Sequence, residues 1–281
     1  MRNASPLRYP GGKWRFYSFF ERLITENFEK CPVYVEPYAG GASLALSLLF
    51  TDKVDEVYLN DLDPAIHAFW HSVLNHNDRF SDLVQTTSVT PYEWTRQREI
   101  YRQGLRSGEF ALGFATFFLN RTNHSGILNG GMIGGKAQRG DWRIDARFNS
   151  TELVRRLTLI ASFKSRIHLS CMDAMELLHY HRRGRNKLVY LDPPYFGTGR
   201  NLYYNAYGPD DHARVRDGIS ELQCPWLVSY DDVQPIRKLY RNFRCRRVLW
   251  RHTARASRQG NEIIYFSPHL TIPRVCPGPS A

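Results

Sequence analysis

Asp192-Pro193-Pro194-Tyr195 follows directly on the apolar run Lys187-Leu188-Val189-Tyr190-Leu191. The two prolines hold the loop extended and leave backbone carbonyls without competing N–H groups. The tetrapeptide therefore offers an acceptor carboxylate, a rigid acceptor carbonyl and a flat ring close together. An exocyclic amine on a planar base has two N–H donors and a face to stack against. The chemistry this suits is work on an amino-bearing heterocycle.

A second group is built for a nucleoside-bearing cofactor. Val35-Glu36-Pro37-Tyr38-Ala39-Gly40-Gly41-Ala42-Ser43 is a glycine loop entering a helix, and it lets a ligand approach the backbone. No Gly-Lys-Ser/Thr follows, so it is not a phosphate loop. Asp61, about 20 residues further on at the end of the next strand, is placed to accept from two ribose hydroxyls. This pair alone fits nicotinamide dinucleotides and S-adenosylmethionine equally. A third group, Leu7-Arg8-Tyr9-Pro10-Gly11-Gly12-Lys13, presents an aromatic and an ammonium that could close over a carboxylate-bearing cofactor. His67 and His71 lie one helical turn apart but have no third ligand in view, so no metal is expected. The five cysteines are scattered and form no C-x-x-C pair, which argues against a zinc site or a disulfide framework.

Positioning these groups requires an alternating α/β frame. Val33–Glu36 and Val57–Asn60 read as strands, with helices over Ser43–Phe50 and about Ala65–Leu74. The same grammar returns in strands at Arg166–Ser170, Lys187–Leu191 and Trp226–Tyr230, with a helix near Val233–Tyr240. Arg246–Trp250 and Glu262–Phe266 suit a closing antiparallel pair. This is a doubly wound sheet, in which ligands sit beyond the strand C-termini. Between the two blocks the alternation stops. Pro91–Arg106, with Thr90 as cap, and Phe110–Arg121 look helical, and Thr122–Asn149 is either a long loop or a glycine-turned hairpin.

The 281 residues carry 38 Lys plus Arg against 27 Asp plus Glu, a net charge of +11, and 31 of the 38 cations are Arg. A planar fork of donors suits phosphate and guanine, so the bias points to nucleic acid. Hydrophobic and charged fractions of 42% and 23% exclude a disordered or fibrous chain. No apolar run approaches the roughly 20 residues of a membrane span. Met1–Pro6 has no apolar segment behind it, so no secretory signal and a cytoplasmic protein are expected.

Together these motifs resemble the Dam-like, D12-class DNA adenine N6-methyltransferases. The resemblance rests on Tyr9-Pro10-Gly11-Gly12-Lys13, Val35 to Gly41, Asp61 and Asp192 to Tyr195 in that order, and it extends from Leu7 to about Phe266. It implies a Rossmann-like methyltransferase sheet with an inserted helical or hairpin target-recognition domain. It further implies S-adenosylmethionine as cofactor, held by Tyr9, Lys13, Glu36, Gly40, Asp61, Asp173 and Asp192, with Tyr9 and Lys13 at the methionine end and Asp173 against the adenine. Asp192, Pro193, Pro194 and Tyr195 become catalytic. The target adenine is flipped from double-stranded DNA, Tyr195 stacks on it, and the Asp192 carboxylate and Pro193 carbonyl accept its amine protons.

The resemblance divides the chain into a catalytic domain over 1–78 and 162–270, an inserted DNA-reading domain over 79–161, and a tail over 271–281. Arg121, Asn123, His124, Ser125, Asn129, Lys136, Arg139 and Arg143 are then the DNA-binding candidates. GATC-specific members carry an aromatic, Asn-Gly and a guanine-reading Arg where this chain has His124, Ser125 and Asn129, so the resemblance does not carry GATC specificity over, and Arg139, Arg143 or Lys136 could take the place of that Arg. Cytosine N4 methylation suits the same acceptors, and a catalytically silent nucleic-acid-binding relative is the reading from another class. A nicotinamide dehydrogenase is disfavoured because the third glycine of G-x-G-x-x-G is missing. A monomer and, for a modification role, a cognate restriction endonuclease are the partner expectations.

Overall fold

Seven strands form one sheet in the order β3-β2-β1-β4-β5-β7-β6. In chain order they are β1 (Val33–Glu36), β2 (Val57–Asn60), β3 (Ile167–Ser170), β4 (Lys187–Leu191), β5 (Trp226–Asp231), β6 (Arg244–Arg251) and β7 (Gln259–Phe266). The computed structural model describes residues 4–8, 12–196, 207–251 and 259–274, without the side chains of 249–251 and 259–261. The first five strands are parallel, and β7 runs antiparallel between β5 and β6. The chain order reverses between β1 and β4, and the loops leaving those two strands flank the crevice where doubly wound sheets bind ligands.

Alternation along the strands divides the core into two layers. Tyr34, Leu188, Tyr190 and Leu227 join one apolar cluster, and Val35, Val189, Leu191 and Val228 join the other. Successive side chains point to opposite faces, and both faces are buried here, so these strands read as continuous apolar runs.

Among the described residues ten α-helices accompany the sheet: α1 (Tyr17–Asn27), α2 (Ser43–Leu49), α3 (Pro64–Asn75), α4 (Asn77–Thr86), α5 (Pro91–Gln103), α6 (Glu109–Thr122), α7 (Ser150–Ser162), α8 (Ala174–Tyr180), α9 (Pro209–Ser220) and α10 (Gln234–Leu239). Several begin at side-chain caps. Asp63 accepts from Ala65 N at 2.8 Å, Asn149 from Glu152 N at 3.0 Å and Asp173 from Met175 N at 2.8 Å. Thr90 caps α5 as expected, by accepting from Glu93 N. That helix stops at Gln103, short of the expected Arg106, because Gly104 turns to φ 60° and a 3-10 turn follows. Helices α1, α4, α7, α8 and α9 add to those expected.

The 79–161 segment shares the core of the sheet. Phe114, Phe117, Phe118, Phe148, Leu157 and Ile160 lie in the same cluster as Phe69 and Trp70 of α3. The Phe69 and Phe117 rings stack 6.0 Å apart at 5°. Helices α3 and α6 cross closely at Gly113, where a Cβ would stand 2.4 Å from the Ala68 carbonyl oxygen. Residues 123–149 form the long loop rather than a hairpin ladder. They contain one antiparallel bridge, Asn123 to Met132, and are anchored by buried Met132, Ile133, Ile144 and Phe148. Among the described residues no helix is long and apolar enough to cross a membrane, and no three His, Cys, Asp or Glu side chains are grouped for a metal.

Candidate active site

The Asp192-Pro193-Pro194-Tyr195 tetrapeptide leaves β4 at the C-terminal edge of the sheet. Asp192 Oδ1 accepts from Ser229 Oγ at 2.7 Å, and Ser229, on neighbouring β5, lies 2.8 Å from the Tyr190 hydroxyl. The same Oδ1 is 3.2 Å from Lys13 Nζ. Lys13 starts the 3-10 turn Lys13–Phe16 and is only 7% exposed. Its ammonium also donates to the Tyr195 hydroxyl at 2.6 Å and to Glu262 Oε1 at 3.1 Å. Tyr195 in turn donates to Glu262 Oε1 at 2.5 Å. Just beyond, Phe196 N donates to Asp231 Oδ1 at 3.0 Å, which ties the loop to the end of β5.

These charges can be buried because they are paired. Burial raises the Asp192 carboxyl above the ordinary range, and Lys13 works against that rise. Burial also opposes the Lys13 charge, but the Asp192 and Glu262 carboxylates outweigh it, so Lys13 stays protonated with its pKa raised. The outcome is an ammonium shared between two carboxylates beside a tyrosine hydroxyl.

The cofactor side is laced to β2. Gly40, at φ 45°, donates its N–H to Asp61 Oδ2 at 2.8 Å, and Asp63 N donates to Asp61 Oδ1 at 3.0 Å. Trp70 Nε1 donates to the Gly40 carbonyl at 2.9 Å, and Asn60 Nδ2 to the Pro37 carbonyl at 3.0 Å. The loop is thus held open by a partner at nearly every peptide unit. Burial pushes the Asp61 carboxyl up to about 7. Glu36 at the end of β1 is buried, and its carboxyl is raised well above the usual range by that burial and then by Asp192 and Asp61. Its Oε2 is buried without a hydrogen-bond partner among the described residues. An orphaned buried acceptor between two other carboxylates fits a ligand rich in ammonium and hydroxyl donors, as S-adenosylmethionine is. Asp173, capping α8, stands 3.6 Å from Arg214 Nη2, and nearby the Tyr38 and Tyr207 hydroxyls are 3.1 Å apart.

The structure brings Lys13, Glu36, Gly40, Asp61, Asp192, Pro193, Pro194 and Tyr195 to one edge of the sheet, with Asp173 at the neighbouring β3–α8 turn. Tyr9 lies outside the described residues. Lys13 has different partners from those the resemblance implies, because its ammonium is committed to Asp192, Tyr195 and Glu262.

Two of the DNA-binding candidates have their side chains in internal contacts. Asn123 is fully buried, donates to the Ile127 and Leu128 carbonyls at 2.8 and 3.0 Å, and accepts from Trp94 Nε1 at 2.6 Å. Its side chain shapes the loop. Arg121 spends its guanidinium on the Arg147 and Pro6 carbonyls, and burial, helped by Arg8, Arg156 and Arg147, lowers its pKa to about 9. His124, Ser125, Asn129, Lys136, Arg139 and Arg143 are all exposed on the 123–149 loop.

Ser229, Tyr190 and Glu262 were not anticipated as site residues, and neither was Asn120. Asn120 binds the Arg8 backbone through both side-chain atoms, at 2.7 and 3.0 Å, and so fastens the segment that leads to Lys13. The one signal for Glu262 was an acid heading the apolar run Ile263-Ile264-Tyr265-Phe266.

Comparison with known proteins adds family and fold neighbours. The family model for D12 class N6 adenine-specific DNA methyltransferases matches residues 9–254. A search of curated proteins returns no match. Among solved structures, a Pyrococcus horikoshii protein provisionally named an RNA methyltransferase shares 10% identity over 93% of this chain and 85% of its own, at TM-score 0.44. A Listeria monocytogenes protein provisionally named a class I S-adenosylmethionine-dependent methyltransferase shares 10% identity over 93% and 62%, at TM-score 0.41. An rRNA methylase from Streptococcus thermophilus shares 9% identity over 88% and 92%, at TM-score 0.36. With the family model spanning both the glycine loop and the Asp192 motif, this chain belongs to the D12 class of N6 adenine-specific DNA methyltransferases, enzymes that take their methyl group from S-adenosylmethionine.

Proposed function

We propose that the protein methylates the N6 amine of an adenine extruded from duplex DNA. The observation that carries this reading is the way Asp192 is held. Ser229 and Lys13 both engage Oδ1, so the carboxylate is fixed in rotation and Oδ2 serves the substrate. Asp192 Oδ2 and the Pro193 carbonyl accept the two amine hydrogens, and Tyr195, anchored by its hydroxyl, offers its ring to the purine. Accepting both hydrogens draws the amine nitrogen toward a tetrahedral shape and frees its lone pair from conjugation. Bound S-adenosylmethionine supplies an electrophilic methyl group on a positively charged sulfur. Glu36, Gly40, Asp61 and Asp173 would hold it, with acceptors suited to its ammonium, ribose and adenine donors. The rate then comes from placement and fixed acceptors, with no covalent adduct to the protein.

Extruding the base costs a few kcal/mol, which backbone contacts must offset. The exposed Lys136, Arg139 and Arg143 are placed to grip phosphates, while His124, Ser125 and Asn129 are available for base edges. The test is incubation of purified protein with donor carrying a labelled methyl group and mixed-sequence duplex, followed by mass spectrometry of the nucleosides. N6-methyladenine is expected, and the Asp192→Ala variant should give none. N4-methylcytosine alone would reject the adenine assignment, and unmodified DNA would reject the reading altogether.

A further inference from the structure

Glu262 is a buried charge in contact with the catalytic motif that the proposed chemistry leaves unused. It is 5% exposed and lies near the start of β7, paired in register with Asp231 at the end of β5. Its Oε1 receives both Lys13 Nζ at 3.1 Å and the Tyr195 hydroxyl at 2.5 Å. Lys13 is almost equidistant from the two carboxylates, 3.2 Å from Asp192 and 3.1 Å from Glu262.

We infer that Glu262 is a positioning residue for methyl transfer, holding the Tyr195 ring by its hydroxyl and sharing the Lys13 ammonium with Asp192. The inference rests on the proposed reaction and adds a residue to it. A tyrosine that stacks on an extruded base must not rotate about its side-chain bonds, and a hydroxyl fixed from two sides prevents that. An ammonium paired with Asp192 alone would close on that carboxylate and weaken it as an acceptor for the amine. With Glu262 taking half of the cation, the two carboxylates and one ammonium keep a net negative charge where the amine hydrogens must go. Asp192 is faced by Lys13 from the N-terminal turn, Tyr34 and Glu36 from β1, Tyr190 from β4, Ser229 from β5 and Glu262 from β7. Of these, Lys13 and Glu262 also hold the Tyr195 hydroxyl, Lys13 as donor to it and Glu262 as its acceptor.

The test compares Glu262→Gln, Glu262→Asp and Tyr195→Phe with wild type in single-turnover methylation of duplex DNA across pH. In Glu262→Gln, kcat should fall about 10- to 100-fold, as a small misplacement of reacting groups does, with the cofactor KM unchanged. Its acidic limb should move to lower pH, because a negative charge near Asp192 is gone. Glu262→Asp restores the charge, so its limb should return to the wild-type position even where rate is lost to shorter reach. Tyr195→Phe should lower kcat and leave the limb in place. An active wild type with unchanged kcat and limb in Glu262→Gln overturns the inference alone. Should Glu262→Gln fail to fold, unchanged kcat in Tyr195→Phe overturns it. A wild type that transfers no methyl group overturns the underlying reaction as well.

Discussion

Replacing Lys13 with Met tests whether the site is held by the shared ammonium. Methionine keeps most of the apolar stem and removes the charge. The ammonium stands 3.2 Å from Asp192 and 3.1 Å from Glu262, and all but a small fraction of its surface is out of water. At an effective dielectric constant near 20, each such contact is worth about 5 kcal/mol of attraction, opposed by the desolvation of all three groups. Removing one partner of a buried pair costs about 3–5 kcal/mol in practice, a large share of a typical folding stability. The variant should therefore lose about 3–5 kcal/mol in denaturant unfolding near pH 8. The loss should depend on pH with a definite sign. Without the cation the Asp192 carboxyl, already raised by burial, is raised further above its unfolded value. Stability is then kept below the unfolded pKa and lost as pH rises through the folded one. The wild-type advantage should be small near pH 4, where unfolded carboxyls titrate, and complete by about pH 8, the upper reach of buried ones. A loss below about 1 kcal/mol, the size of a solvent-exposed ion pair, would refute the reasoning. So would a loss that stays constant from pH 4 to pH 8.

The Asp61 carboxyl, pushed up to about 7 by burial, must be ionised to accept from ribose hydroxyls. S-adenosylmethionine affinity by calorimetry should weaken up to about tenfold from pH 7 to pH 6, and Asp61→Asn should bind more weakly with a flatter profile. An unchanged slope in Asp61→Asn would remove Asp61 from that role. Gly113→Ala puts a methyl 2.4 Å from the Ala68 carbonyl oxygen, an overpacking cost of about 1–3 kcal/mol that exceeds the helix-propensity gain of about 1 kcal/mol over most of that range. Its melting temperature should fall by a few degrees, and a rise would show that α3 and α6 can separate freely. Arg139→Ala and Arg143→Ala should each lower the salt slope of DNA affinity by about 1 while kcat at saturating DNA holds. An unaltered slope would place those arginines off the phosphates.

Much of the frame was legible because each catalytic motif is contiguous and ends a strand. Leu191 closes an apolar strand and Asp192 begins the loop, so period and punctuation together locate the acid. Glu36, the last residue of β1, and Asp61, the first after β2, are located in the same way. Asn123 shows what local pattern leaves out. An Asn in a loop beside a helix end looks like a base reader, yet its amide is the partner that the turning carbonyls of Ile127 and Leu128 require. Only burial separates the two roles, and burial is set by how Trp94 of α5 packs on that turn. Helices α4 and α7 were missed although their amphipathic pattern was available, because the 79–161 stretch was treated as a separate unit. Its phenylalanines in fact complete the core under α3.

Glu262 was illegible for a topological reason. It contacts Lys13 across 249 residues, and no local pattern links the two. In a parallel sheet the ligand edge collects strand ends, so a residue near the start of a strand is expected at the opposite edge. Strand β7 reverses that rule because it runs antiparallel between β5 and β6. Its first residues therefore arrive where β4 and β5 finish, and Glu262 comes level with Asp231, two residues past Ser229. One reversed strand thus delivers a carboxylate to a site whose other acids all follow strand C-termini. Asn120 likewise ties the N-terminal part of the chain to α6, by binding both backbone groups of Arg8. The tetrapeptide Asp192–Tyr195 supplies the reacting groups, while the two ends of the chain supply the ammonium and the carboxylate that hold them. The tetrapeptide and Lys13 stand in motifs that the sequence displays, whereas Glu262 comes to light only through the register of β7.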